Sequence, residues 1–251
     1  MGALHAGHVS LVKKAAKDCQ FVAVSVFVNP SQFGPGEDYE KYPRQIEKDA
    51  KILEEEKADI LFAPIQEEIY PENFGVWINV ENLSEKFEGK FRPGHFKGVC
   101  TIVAKLFNII QPDKAYFGWK DIQQLIIIKK MARDLNLPVD IIGLPTIRDN
   151  NGLALSSRNI YLSAEGRKRA LCLYNALHKI YEMVEYSYIK DTKILLEEGK
   201  KIILKEPVII DYFEAININN LEQIKRIEKE TGVIGAIRVE NVRLIDNIIW
   251  E

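Results

Sequence analysis

Through about residue 147 the chain alternates short β-branched apolar runs with helical patterns, and this alternation constrains the fold more than any other feature. The run FVAVSVFV at 21–28 is continuous and apolar and ends at Asn29-Pro30, a turn signal, so it reads as a strand buried on both faces. Shorter runs of the same kind lie at 59–63, 114–117 and 139–142. Helical patterns separate them: 9–17, opened by a Gly-His pair; the charge-rich 46–57; 99–110, apolar enough to be well buried; and 121–135, which starts on Asp and stops before Asn136-Leu137-Pro138. Strands and helices in this order specify a parallel sheet covered by helices.

The pattern then changes. Asp149-Asn150-Asn151-Gly152 is a polar turn cluster and marks the expected boundary between a domain at 1–149 and one at 150–251. Beyond it come helices at 163–187 and 191–204 and a strand at 208–216 rich in aromatic and β-branched residues. The tail, 233–250, is β-like but broken by Asn241 and by Asp246-Asn247, and 219–232 follows neither period. This is an α+β pattern, a small antiparallel sheet beside helices. No internal repeat occurs.

Composition narrows the function classes. With 47% hydrophobic and 28% charged residues, the 251-residue chain can bury a full core, which argues against disorder. Its net charge of -2 argues against a broad nucleic-acid surface, while leaving room for a local basic site. Cys19, Cys100 and Cys172 are odd in number and far apart, so neither a disulfide framework nor a CxxC metal site is visible, and a cytoplasmic location is expected. No run of about 18 apolar residues suggests a membrane span, and the N-terminus lacks the apolar stretch of a signal peptide.

Five polar clusters could carry chemistry. His5-Ala6-Gly7-His8 stands where a helix begins; N–H groups and the helix dipole attract phosphate there, and two imidazoles can donate to phosphoryl oxygens as charge builds, or the segment is a frayed terminus with two exposed His. Phe117-Gly118-Trp119-Lys120-Asp121-Ile122-Gln123-Gln124 joins a strand to a helix, the edge at which ligands bind in open α/β sheets. There Lys120 suits a phosphate and Asp121 a ribose, or the segment is a solvated loop with an Asp cap. Leu155-Ser156-Ser157-Arg158-Asn159 offers hydroxyls and a guanidinium to a phosphate, or is a polar turn before an N-cap at Ser163. Asn29-Pro30-Ser31-Gln32-Phe33-Gly34 follows the first strand, and its Asn29 and Gln32 suit a small polar substrate, or make a plain turn. Arg92-Pro93-Gly94-His95-Phe96 is a rigid turn with a cation and a His. Jointly they argue for a nucleotide site. No GxGxxG follows a strand, which disfavours a dinucleotide-dependent oxidoreductase.

The runs MGALHAGH (1–8), VNPSQFG (28–34), FRPGHFKGV (91–99), QPDKAYFGWKDIQQL (111–125) and PTIRDNNGLALSSRNIYLS (145–163) resemble, in order, the pantothenate synthetases, or pantoate–β-alanine ligases, of the HxGH nucleotidylyltransferase-like superfamily. RLIDN at 243–247 resembles the family's ending. The resemblance implies an α/β Rossmann-like domain that binds nucleotide and pantoate, a smaller α+β domain closing over the ATP site, a homodimer, and ATP with Mg²⁺. It implies that pantoate attacks the α-phosphorus of ATP to give pantoyl adenylate, which β-alanine then aminolyses. By motif match, His5 and His8 would stabilise the phosphates, with His8 as acid; Lys120, Ser156, Ser157 and Arg158 would grip them. Met1, Gly2, Ala3, Leu4, Ala6, Gly7, Gly118, Trp119, Asp121, Ile147 and Leu155 would border ATP, and Gln32 and Gln124 would bind pantoate with Asn29 nearby. No metal ligand is indicated.

Two departures stand out. Trp119 replaces the family's usual Glu, removing an acidic group beside the nucleotide. Family members also carry about thirty residues before the motif's Met, including a first strand that is central in a Rossmann-type sheet, so an upstream segment or a shortened form is expected. The competing readings are another HxGH nucleotidylyltransferase, which gives no reason for the Gln32 and Gln124 pair, and a non-catalytic nucleotide-binding protein.

Overall fold

The computed structural model describes residues 2–251. The chain divides into two compact units: the first runs to Gly118 and adds Gln123–Pro145, and the second comprises Trp119–Ile122 and Thr146–Glu251.

The first unit follows the order α1 (Ala6–Asp18), β1 (Ala23–Ser25), α2 (Ile46–Glu55), β2 (Ile60–Phe62), α3 (Gln66–Ile69), α4 (Phe87–Phe91), α5 (His95–Ile110), β3 (Lys114–Gly118), α6 (Ile122–Asp134) and β4 (Asp140–Leu144). All its strand pairs are parallel, as the alternation requires, but they form two ladders and not one sheet. β1 pairs with β2, from Ala23↔Ile60 to Ser25↔Phe62, and β3 with β4, from Lys114↔Asp140 to Gly118↔Leu144. Helix α1 serves both. Its Val12 and Ala15 pack with Val22, Val24 and Leu53, while the Tyr116 hydroxyl of β3 donates to Asp18 Oδ2 at 3.0 Å.

The expected strand at 21–28, buried on both faces, is corrected. Regular pairing covers only Ala23–Ser25, and Phe21 is 77% exposed. Side chains alternate across a strand, and only the face carrying Val22 and Val24 meets the α1 and α2 core. Helix α5 begins at His95, earlier than the apolar pattern from 99, because Gly94 (φ 82°) turns the chain into it. Asp121 does not open α6; it closes a 3-10 turn, Trp119–Asp121, that leads into the helix.

The second unit has α7 (Ala164–Glu185), α8 (Thr192–Ile203), β5 (Ile209–Asn217), β6 (Thr231–Val239) and β7 (Val242–Trp250). Leu173, Leu177, Ile180 and Val184 recur at helical spacing along α7 and pack with Phe213, Val233, Ile237 and Leu244 of the antiparallel sheet β5-β6-β7. The Ser163 hydroxyl caps α7 by accepting from Gly166 N at 2.9 Å. Asn241 breaks the tail as expected, in the two-residue turn between β6 and β7, but Asp246-Asn247 does not: both residues are paired inside β7 and buried. No helix among the described residues is long and apolar enough to cross a membrane.

Candidate active site

His5 is the N-cap of α1, with extended backbone and Nδ1 accepting from Gly7 N at 3.1 Å. That bond places the proton of the neutral ring on Nε2, which is thereby a donor. The His8 ring lies one turn along, its centroid 4.1 Å from that of His5. Gly7 permits the arrangement, since a Cβ there would stand 2.9 Å from His5 Cε1. The preceding residues are fixed from α2. Asp49, fully buried, accepts from Ala3 N (2.9 Å) and Leu4 N (2.8 Å), which holds Ala3 in a left-handed conformation, φ 49°. Such a conformation costs about 1–2 kcal/mol outside glycine, within reach of two hydrogen bonds to a carboxylate. Gly2, Ala3 and Leu4 are buried and Ala6 is exposed. Met1, also expected at the nucleotide, lies outside the described residues.

Gln32 ends a 3-10 turn, Pro30–Gln32, whose N-cap is Asn29. Asn29 is 2% exposed and committed within the protein. Its Oδ1 accepts from the Ser31 and Tyr70 hydroxyls (2.8 Å each), and its Nδ2 donates to Gly98 O (3.2 Å) and Gln32 Oε1 (3.3 Å). The turn lies hard against α5, where a Cβ on Gly98 would meet Ser31 O at 2.2 Å. From the start of α5, His95 Nδ1 donates to Gln32 O at 2.8 Å, and Arg92 Nη1 donates to His95 Nε2 at 3.0 Å. Arg92 also grips Glu37 through Nε (2.9 Å) and Nη2 (2.6 Å). Burial, and then the Arg92 charge, push His95 down to about 4, so the ring is neutral at pH 7. Gln124 is half-buried on α6, whereas neighbouring Gln123 is structural: its Nε2 donates to Leu83 O and Lys86 O, both at 2.8 Å, and its Oε1 accepts from Glu88 N at 3.0 Å.

In the second unit, Lys120 and Asp121 follow Gly118, the last residue of β3, with Lys120 Nζ 3.5 Å from Asp121 Oδ1. Trp119 beside them is buried, 8% exposed. Asn247 of β7 donates from Nδ2 to Trp119 O (2.8 Å) and Lys120 O (3.1 Å). Ser156 caps the 3-10 segment Ser157–Tyr161, accepting from Arg158 N at 3.3 Å. Buried Asn159 pins that segment by donating to Ala154 O at 3.0 Å. Ile147 O accepts from Leu155 N at 2.9 Å, which joins two expected nucleotide-bordering residues. Ser157, Arg158 and Leu155 are half-buried.

Paired imidazoles at a helix start in the first unit, and a lysine turn and a Ser-Ser-Arg loop in the second, are each of a kind that handles phosphate. The family model for pantoate–β-alanine ligase matches residues 1–249. The chain belongs to the pantoate–β-alanine ligase family. It is 47% identical over 249 residues to the pantothenate synthetase of Thermosipho africanus, covering 99% of this chain and 89% of that one. It is 48% identical over 250 residues to that of Thermotoga petrophila, with the same coverage of each. Among solved structures, a pantothenate synthetase from Thermus thermophilus superposes with TM-score 0.96 at 47% identity, over 99% of this chain and 90% of that one. A pantoate–β-alanine ligase from Francisella tularensis, complexed with β,γ-ATP and β-alanine, gives 0.77 at 35% identity, over 99% and 87%.

Beside the motif residues, this ligase-family chain uses side chains that the sequence left unmarked. Asp49 sits with Leu53 on the buried side of α2, and a carboxylate on an apolar stripe was the legible signal. The Arg92-His95 pair was visible as a motif, but its hold on Gln32 was not. Asp246-Asn247 resembled strand breakers.

Proposed function

We propose that this chain condenses pantoate with β-alanine, driven by ATP, through a pantoyl-adenylate intermediate. The observation that carries the reading is the folded-back imidazole pair at the start of α1, in a chain matched by the ligase family over 1–249. The Francisella relative's complex with β,γ-ATP and β-alanine supports two of the three substrates. In the first step a pantoate carboxylate oxygen attacks the α-phosphorus and pyrophosphate leaves. In the second, the β-alanine amine attacks the acyl carbon, AMP leaves, and the amine proton passes to solvent. Both nucleophiles belong to substrates, so the protein's task is positioning and charge stabilisation. His5 Nε2–H and His8 donate to the phosphates, with His8 as acid. Lys120, Ser156, Ser157 and Arg158 hold phosphate oxygens, and Gly2, Ala3, Leu4, Ala6, Gly7, Gly118, Trp119, Asp121, Ile147 and Leu155 are the residues that border nucleotide. Gln32 and Gln124 hold pantoate, with Asn29 fixing the amide of Gln32.

Mg²⁺ would neutralise phosphate charge. No group of three His, Cys, Asp or Glu able to hold a metal occurs among the described residues, and Asp121 is the carboxylate beside Lys120. Mg²⁺ keeps several waters and takes one or two carboxylates, so the ion proposed is a hydrated one carried by the triphosphate. We extend the reading to a cytoplasmic homodimer, which sedimentation at micromolar concentration tests by mass.

Pyrophosphate release that needs both ATP and pantoate, with AMP release that needs β-alanine, is the expected result. Release driven by a different acid or by a phosphate acceptor overturns it in favour of another HxGH nucleotidylyltransferase. No release with any acceptor overturns it in favour of a non-catalytic binder.

A further inference from the structure

We infer that Asn247 is a positioning residue for Lys120: its side-chain amide, donating to the Trp119 and Lys120 carbonyls, aims the lysine at its phosphate. The inference deepens the ligase reading and rests on the role of Lys120 in it. The Trp119 carbonyl belongs to the peptide plane before the Lys120 Cα, and the Lys120 carbonyl to the plane after it. One NH₂ group directs one proton to each, at 2.8 and 3.1 Å, so both backbone torsions of Lys120 are pinned and with them the direction of its Cα–Cβ bond.

The anchor is itself rigid. Asn247 lies opposite Ile234 inside the β6–β7 ladder and is 5% exposed. Successive strand residues face opposite sides of a sheet, so Asn247 serves the lysine turn while Asp246 points to the α7 side. There Asp246 receives Arg148 in a bidentate pair, Nη1 to Oδ2 at 2.5 Å and Nη2 to Oδ1 at 2.9 Å, and Arg148 also donates to Gly152 O at 3.0 Å and lies over the Tyr174 ring. Asp246 Oδ1 further accepts from Asn247 N at 2.8 Å. A 3-10 turn is short and its hydrogen bonds are poorly aligned, so this amide adds a restraint on the lysine backbone that the turn's own bonds do not supply.

The test measures pantoate-dependent pyrophosphate release for Asn247→Ala, Asn247→Ser, Lys120→Ala and the Lys120→Ala/Asn247→Ala pair, with a thermal melt of each. A catalytic group displaced by about 1 Å commonly loses about a hundredfold in rate, so Asn247→Ala is expected to lower kcat by about ten- to a hundredfold with pantoate KM within about threefold of wild type. The double variant should be no slower than Lys120→Ala alone, because an absent lysine cannot be misaimed. Asn247→Ser keeps one donor and should fall between wild type and Asn247→Ala; it carries the comparison if the alanine variant does not fold. A kcat near wild type in the folded Asn247 variants overturns the inference while leaving Lys120 in place. An equal loss in the Lys120→Ala background assigns Asn247 a general structural role and also overturns it. A wild-type rate in Lys120→Ala refutes the role of Lys120 in the ligase reading, and this inference with it.

Discussion

Neutral residues with few alternatives carry much of the site. Gln32 receives its backbone from His95 and its side-chain contact from Asn29, so it is held at both ends. Replacing Gln32 or Gln124 by Ala is expected to raise the KM for pantoate about 5- to 150-fold, corresponding to about 1–3 kcal/mol for polar groups left unpaired, with the KM for ATP nearly unchanged; steady-state kinetics with each substrate varied checks this. Equal changes in both constants would count against Gln32 and Gln124 as pantoate ligands. His95 makes a second prediction. Its folded value is pushed to about 4 from an ordinary 6.5, chiefly by burial and then by Arg92, against the opposing pull of the Gln32 carbonyl and then of Glu88 and Glu37. Between these values the unfolded chain binds more protons, so stability is fully present above pH 6.5 and falls as pH drops towards 4, by about 3 kcal/mol from this group. Melts from pH 7 to 4 should show a steeper loss in wild type than in His95→Gln. Parallel slopes would mean that His95 is not buried neutral.

At the scale of elements, what matters is how each helix presents its first turn. The HAGH motif works through a glycine that lets an imidazole fold onto the start of α1, and through Asp49 of α2, which fixes the residues before it. Gly7→Ala removes that space. Alanine favours helix over glycine by about 1 kcal/mol, so this variant should keep or raise its melting temperature while losing pyrophosphate release. Retained activity would show that the folded-back ring is not the working one. Asp49→Ala leaves two backbone N–H groups without their acceptor and a left-handed Ala3 without its restraint. It should cost about 2–4 kcal/mol in denaturant unfolding, and a loss under about 1 kcal/mol would deny Asp49 that role. Element identities were legible because periodicity is local: α2, α7 and α8 lie within a few residues of their expected bounds. The length of β1 was not, because how much of an apolar run joins a ladder depends on the partner beside it.

For the molecule as a whole, nucleotide binding should register as stability. If ATP binds the folded chain and not the unfolded one, ATP at a hundred times its Kd adds about 2.7 kcal/mol and raises the melting temperature. Pantoate alone should raise it through Gln32 and Gln124. A melting temperature unmoved by ATP at millimolar concentration would contradict the nucleotide site at its root.

Sequence by itself determined the order and type of the elements, the parallel first part and antiparallel second part, and the motifs that mark a ligase. Each of these is written in neighbours a few positions apart, where side-chain period, turn chemistry and motif spacing act. Only the tertiary structure decided which side chains hold those motifs in place. Asp49 reaches Ala3 across 46 positions, His95 reaches Gln32 across 63, and Asn247 reaches Trp119 across 128. A hydrogen-bonding group acts on whatever packing brings within about 3 Å of it, and no local pattern records a partner so distant along the chain. The Asp246-Asn247 pair shows the reason most plainly: polar residues that would break an exposed strand instead lie buried inside one, because the second unit places an arginine and two carbonyls where they satisfy it.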